Sequence, residues 1–138
     1  MLSRTGIHAL TALATLASLQ RGEYLGASEL ARRIGAPKNY LGKLLQSLAV
    51  QGILQSQKGK RGGFRLARPA EQISLYEVIE PIERVSRWSG CFLGRAQCSA
   101  GTACPVHHRW GKVRDAYLEF LNQTTVADLT GQSSTTPK

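Results

Sequence analysis

Early in the chain, apolar residues recur at three- and four-residue steps, the spacing of one helix face. Ile7, Leu10, Leu13, Leu16 and Ala17 predict a first helix that ends near Gln20-Arg21-Gly22. In "SELARRIG", Ser28 is the expected N-cap, Leu30, Ala31 and Ile34 share a face, and Gly35 is a stop. The next segment, "APKNYLGKLLQSLAVQG", has Pro37 at the first helical position and a stripe of Leu41, Leu44, Leu45 and Leu48. Periodicity then changes. "ILQSQKGKRGGFRLAR" alternates Ile53, Gln55 and Gln57 with Leu54 and Ser56, and Phe64 and Leu66 with Arg65 and Ala67, around a glycine-rich turn. That pattern predicts a β-hairpin. "SLYEVIEPIERV" opens with the capping-box pair Ser74 and Glu77, and Pro81 is expected to end or kink that helix. Farther on, Val106, Trp110, Val113, Tyr117 and Phe120 or Leu121 mark a long helix, and Thr125 with Asp128 caps a last turn.

Two short helices across a glycine turn, followed directly by a hairpin, form a winged helix-turn-helix. The expected fold is mostly α with a small β-hairpin wing and a long C-terminal dimerisation helix. Residues 1–82 would form the DNA-binding domain, 83–104 a cysteine-containing loop, 105–129 the dimerisation helix with a short final helix, and 130–138 a disordered tail. The dimer seam is assigned to Trp110, Val113, Tyr117 and Leu121; a helix packed back on its own domain is the alternative.

Charge sharpens this picture. Of the 138 residues, 1–70 carry eleven Lys and Arg against Glu23 and Glu29, whereas 71–138 carry seven of each sign. The whole net charge of +9 therefore lies in the half with the helix-turn-helix and wing, as expected for contact with a polyanion such as double-stranded DNA. On the recognition helix, Lys38, Asn39, Tyr40 and Lys43 are the expected contacts, with Asn39 able to pair with adenine and Tyr40 to stack or bond phosphate. Ser28 is expected at the backbone. Lys60 and Arg61 at the wing tip would reach a minor groove, and Gly62 and Gly63 would allow positive φ and close approach to the sugar-phosphate backbone. No run of about 18 apolar residues is present to span a membrane. The N-terminus has a faint likeness to a signal peptide, but Thr11, Thr15 and Ser18 interrupt it and an amphipathic helix is expected instead. A cytoplasmic location follows from that reading.

The chemistry concentrates in "CFLGRAQCSAGTACPVHH". Six residues separate Cys91 from Cys98, five separate Cys98 from Cys104, and two separate Cys104 from His107. Zinc sites pair cysteines more closely, and the glycine-containing gaps suit an object wider than one ion. Spacing alone leaves an iron–sulfur cluster, zinc and a thiol redox switch open. If Pro105 opens the long helix, Cys104 is its N-cap and His107 returns over that cap. His8 and His108 are the other candidates for a fourth ligand. No nucleophile–base or acid–base constellation points to an enzyme, and a small redox enzyme would be expected to carry a Cys-x-x-Cys pair that is missing here.

The order of "LSRTGIHALTALATLA", "ASELARRIGAPKNYLGKLLQSLAVQGIL", "KGKRGGFRLAR", "ISLYEVIE", three late cysteines and "FLNQTTVADL" resembles the Rrf2 family of bacterial winged-helix regulators over about residues 2 to 130. The resemblance implies a homodimeric transcription factor, most often a repressor. Its recognition helices would enter major grooves and its wings minor grooves, and its cysteines would hold a cluster sensing iron, redox state or nitric oxide. Some relatives complete the cluster with an acid on the first helix, at the position of Ile7, which cannot bind iron. The resemblance therefore favours Cys91, Cys98, Cys104 and His107, similar to the IscR-type pattern, although that pattern has five residues in the first gap. The longer first gap leaves both 2Fe–2S and 4Fe–4S open, and the available histidine ligand favours 2Fe–2S. Gly42 stands where some relatives carry a side chain that helps choose the operator.

Overall fold

The structure, a computed structural model, describes residues 2–20, 22–86 and 106–130. Among the described residues, five α-helices and a two-stranded sheet follow in the order α1 (Arg4–Ala17), α2 (Ala27–Ile34), α3 (Lys38–Val50), β1 (Leu54–Gln57), β2 (Gly63–Leu66), α4 (Leu75–Glu83) and α5 (His107–Gln123). Single 3-10 turns lie at Ala70–Gln72 and Val126–Leu129. None of the described helices is long and apolar enough to cross a membrane.

α1 is an integral part of the core. Ala9, Ala12 and Leu13 are fully buried and Leu10 and Leu16 nearly so. Ile7, expected on that face, is half exposed. Ser3 caps the helix by accepting from the Gly6 amide at 3.1 Å. α2 and α3 pack against each other through Leu30, Ala31, Leu41, Leu45 and Leu48, with Gly35 in the left-handed conformation at the turn between them (φ 77°). Each of the large aliphatic side chains buried here contributes about 1.5–3 kcal/mol from removal of apolar surface from water.

The observed caps differ from expectation by one or two residues. Gly26 rather than Ser28 caps α2, so Ser28 is an exposed first-turn residue, and Pro37 is the N-cap of α3 rather than its first member. Such terminal shifts are ordinary for helices read from sequence. The capping boxes at Ser74–Glu77 and Thr125–Asp128 are both present. Pro81 neither ends α4 nor stops its continuation to Glu83.

β1 and β2 pair antiparallel, with Leu54 opposite Leu66 and Gln57 opposite Gly63. The expected alternation fails at the base of the hairpin, where consecutive residues Ile53 and Leu54 are both buried as the chain leaves α3. Leu25 bridges Phe64 through two backbone hydrogen bonds of 2.9 and 2.8 Å, adding one residue of a third strand. This bridge anchors the wing to the segment before α2.

The C-terminal segment joins the same core as residues 1–82. Leu121 and Val126 pack with the α1 and α4 residues, and Ser74 bridges Thr125. Backbone bonds from Leu75 to Thr124 (2.8 Å) and Val126 to Ile73 (2.9 Å) fasten the junction. Leu121, assigned to the dimer seam, therefore faces inward and is 2% exposed. The start of α5 also shifts. Val106 is its N-cap and His107 its first residue, so Cys104 does not cap it and His107 does not stand at its third position.

Candidate nucleic-acid interface

The second and third helices bring the polar face of α3 to the surface. Lys38, Asn39, Lys43 and Gln46 are exposed around one hollow of about 630 Å³ between α3, the start of α2 and the wing. Asn39, Lys43 and Gln46 lie on one helix face because their spacings of four and three residues bring them round together. Gln46 completes this row one turn beyond Lys43; helical periodicity from Asn39 gives its position directly, although charge alone does not.

Tyr40 is half-buried and engaged within the chain. Its hydroxyl is 3.0 Å from His8 Nδ1, and the two rings meet edge to face at 5.4 Å between centroids. The expected phosphate or stacking contact by Tyr40 is thus joined by a tie from the recognition helix to α1. His8, considered above as a metal ligand, has its ring in this pair.

The wing presents Lys58, Lys60 and Arg61, all exposed. Lys60, Arg61 and Gly62 line a cleft of about 700 Å³ opposite Gly22, Glu23 and Tyr24. Arg65 stiffens the hairpin by donating to Gln55 at 2.9 Å and lying over the Tyr24 ring at 4.5 Å. Of the two glycines expected at positive φ, Gly63 has it (φ 134°) and Gly62 does not. A Cβ on Gly62 would collide with the Gln57 carbonyl, so the turn itself requires this glycine. The requirement for Gly62 is therefore internal to the hairpin.

Near the recognition helix, Glu29 accepts from Arg32 and Arg33. These hydrogen bonds, Arg32 first, hold its carboxyl below the ordinary carboxylate value. Both arginines remain largely exposed, so this end of α2 keeps a net positive charge.

Toward the other end of the molecule, the carboxylate of Glu83 at the end of α4 accepts from the Ser3 amide (2.6 Å) and hydroxyl (2.5 Å). Glu80 accepts from the Ser86 amide (2.9 Å) and hydroxyl (2.5 Å). The chain thus reaches the cysteine segment from a firmly tied helix end. Cys91, Cys98 and Cys104 lie outside the described residues, and no group of three or more His, Cys, Asp or Glu gathers among the described ones. On α5, Val113 and Phe120 are 61% and 53% exposed and lie two turns apart, with Tyr117 stacked on Phe120 at 6.4 Å and Trp110 half-buried.

A helix pair with a basic, amide-bearing second helix, followed by a basic wing, defines a winged helix-turn-helix DNA-binding protein. The chain belongs to the Rrf2 family, iron-dependent transcriptional regulators, whose family model matches residues 2–132. It is 35% identical over 129 residues to an HTH-type transcriptional regulator of Aquifex aeolicus, covering 92% of this chain and 89% of that protein. It is 30% identical to the HTH-type transcriptional regulator IscR of Vibrio atlanticus, over 93% of this chain and 73% of that one. Among solved structures it resembles CymR, the global cysteine regulator of B. subtilis, with a TM-score of 0.78 at 22% identity, over 96% of this chain and 98% of that chain. The protein is a transcriptional regulator rather than an enzyme, and DNA is its partner.

Proposed function

We propose that the protein is a homodimeric repressor whose operator affinity is set by an iron–sulfur cluster held by Cys91, Cys98, Cys104 and His107. The observation that carries this reading is the donor set, three thiolates and an imidazole in one glycine-containing stretch at the entrance to α5, in a chain of an iron-dependent family. Thiolates suit iron–sulfur clusters, and one imidazole among them suits a 2Fe–2S centre best. His107, the first residue of α5, belongs to a rigid element, so a ligand there ties the cysteine segment to the helix that would hold two copies together. When bound, the cluster supplies a redox- and iron-sensitive cross-link across the segment. This chain's own residues do the rest: α5 joins the copies through Trp110, Val113 and Tyr117, extended to Phe120, and α3 and the wing meet DNA.

On the DNA, Asn39 reads a base edge, Lys38 and Lys43 neutralise phosphates with Ser28 at the backbone, and Lys60 and Arg61 occupy the minor groove. Such a regulator works in the cytoplasm. A switch of this kind usually couples its two sites by about 1–3 kcal/mol.

A second reading keeps the DNA-binding fold and makes the cysteines a thiol switch or zinc site. The likeness to Staphylococcus aureus CymR, solved in an oxidized form (26% identity, TM-score 0.73), supports it. Anaerobic purification with a UV–visible spectrum and assays of iron, sulfide and zinc separates the two. Visible absorption with matched iron and sulfide is the expected result. A colourless protein that takes up no cluster on anaerobic reconstitution would overturn the iron–sulfur reading.

A further inference from the structure

The wing has two strands of four residues each, and a hairpin of that size is marginally stable by itself. Its tip cations reach DNA at a set distance from α3 only if something else fixes the base of the hairpin. The strand register shows what does. Leu25 bridges Phe64 antiparallel, which sets Tyr24 opposite Arg65 one step along, while Arg65 pairs with Gln55 on its other side. Tyr24, Arg65 and Gln55 therefore form one row across three strands, on the face opposite the buried Phe64 ring. Within that row the Arg65 guanidinium lies over the Tyr24 ring at 4.5 Å and donates to Gln55 at 2.9 Å. Gly63 permits the close approach, because a Cβ there would stand 2.5 Å from the Leu25 carbonyl oxygen. Tyr24 and Arg65 are half-buried, unlike Lys58, Lys60 and Arg61 at the tip, which are exposed.

We propose that Tyr24 and Arg65 are positioning residues for DNA binding. Their contact clamps the wing to the segment that leads into α2, and α2 packs on α3, so wing tip and recognition helix meet DNA as one unit. The clamp also withdraws Arg65 from the cations available to phosphate, as the Glu77 carboxylate engages Arg68. A wing without the clamp has to be ordered when DNA binds, and that loss of freedom lowers affinity. This inference rests on the DNA-binding reading and adds two residues that act on affinity without touching DNA.

The test uses the full chain, purified anaerobically, and a duplex enriched from a random-sequence library, with affinity followed by fluorescence anisotropy across a salt series. Tyr24→Leu should weaken binding about two- to fivefold per wing, the value of a cation–π contact at an exposed site, with the salt slope unchanged. Tyr24→Phe keeps the ring and should bind like the parent protein. Arg65→Gln should lose as much affinity as Tyr24→Leu, again at constant slope, and the double variant should lose no more than either alone. In Tyr24→Leu, hydrogen exchange should quicken at the Leu25 and Phe64 amides and stay unchanged in the core of α1, which separates a positional effect from general unfolding. Should the α1 core loosen as well, Arg65→Gln and Tyr24→Phe carry the test. A slope lowered by about one unit in Arg65→Gln would make Arg65 a phosphate contact and overturn the inference. Parental affinity in Tyr24→Leu, or equal losses in Tyr24→Phe and Tyr24→Leu, would overturn it while leaving DNA binding intact. Failure to enrich any sequence would overturn the DNA-binding reading itself, and this inference with it.

Discussion

His8 on α1 and Tyr40 in the first turn of the recognition helix share a hydrogen bond of 3.0 Å. Two elements meet through it. At its N-terminal end, α1 is tied by Ser3 to Glu83, the last residue of α4. The helix that leads into the cysteine segment and the helix that reads DNA therefore both hold α1, at opposite ends of its first two turns.

That relationship predicts an energetic coupling. Tyr40→Phe removes the hydroxyl and keeps the ring, and His8→Ala removes the partner. In a double-mutant cycle by urea unfolding, the pair should show an interaction of about 0.5–1.5 kcal/mol, the usual net value of a hydrogen bond. Strict additivity of the two substitutions would show that the contact carries no energy.

The wing yields a prediction about salt. Arg61 is exposed at the tip, and a groove or phosphate contact there releases counterions on binding. Arg61→Ala should weaken DNA binding and lower the slope of log K against log salt by about one unit. An unchanged slope would remove Arg61 from the interface.

α5 bears apolar side chains that the described residues leave exposed. Val113 and Phe120 point outward while Leu121, one residue on, is buried. Val113→Asp should leave the thermal stability of the protomer within about 0.5 kcal/mol, as for an exposed position. It should also shift sedimentation from dimer to monomer. A mutant that sediments like the parent protein would move the interface elsewhere.

Much of this architecture was legible in the sequence because it depends on local signals. The capping boxes at Ser74–Glu77 and Thr125–Asp128, the left-handed Gly35 and the leucine stripe of α3 each specify their element within a few residues. Long-range choices were less legible. Ile7 and Leu121 carry the periodicity of a buried face, yet one is half exposed and the other is core, because their environment is set by α4 and the final turn rather than by their own helix. Likewise the internal constraint on Gly62, the Gln57 carbonyl across the turn, was not visible in a sequence that offered this glycine for approach to DNA. Charge and position nominated Lys38, Asn39, Lys43, Lys60 and Arg61 as DNA contacts, and all five are exposed. Gln46 follows from helical periodicity once Asn39 is placed, whereas the hollow beside Gly42 depends on Ala27 and Phe64, which only the tertiary fold brings against α3.

Tyr117 gives a prediction in alkaline solution. Burial, and then the nearby Glu83 carboxylate, push its phenol above the ordinary value of 10. A group whose pKa is raised on folding lends stability that is fully present below the unfolded pKa and is lost as pH climbs through the folded one. Stability of the parent protein should therefore fall above pH 10 more steeply than that of Tyr117→Phe, as followed by thermal unfolding at stepped pH. Parallel curves for the two proteins would contradict the shift.

In the proposed mechanism, cluster occupancy sets operator affinity. This dependence is tested most directly by titrating one anaerobic preparation, assayed for iron and sulfide, against a selected duplex by fluorescence anisotropy before and after chelation of the iron. The two Kd values should differ by about 5- to 150-fold, the range of ordinary allosteric coupling, and the difference should disappear in Cys98→Ala. Equal affinity in the two states, with the cluster demonstrably present and then removed, would contradict it.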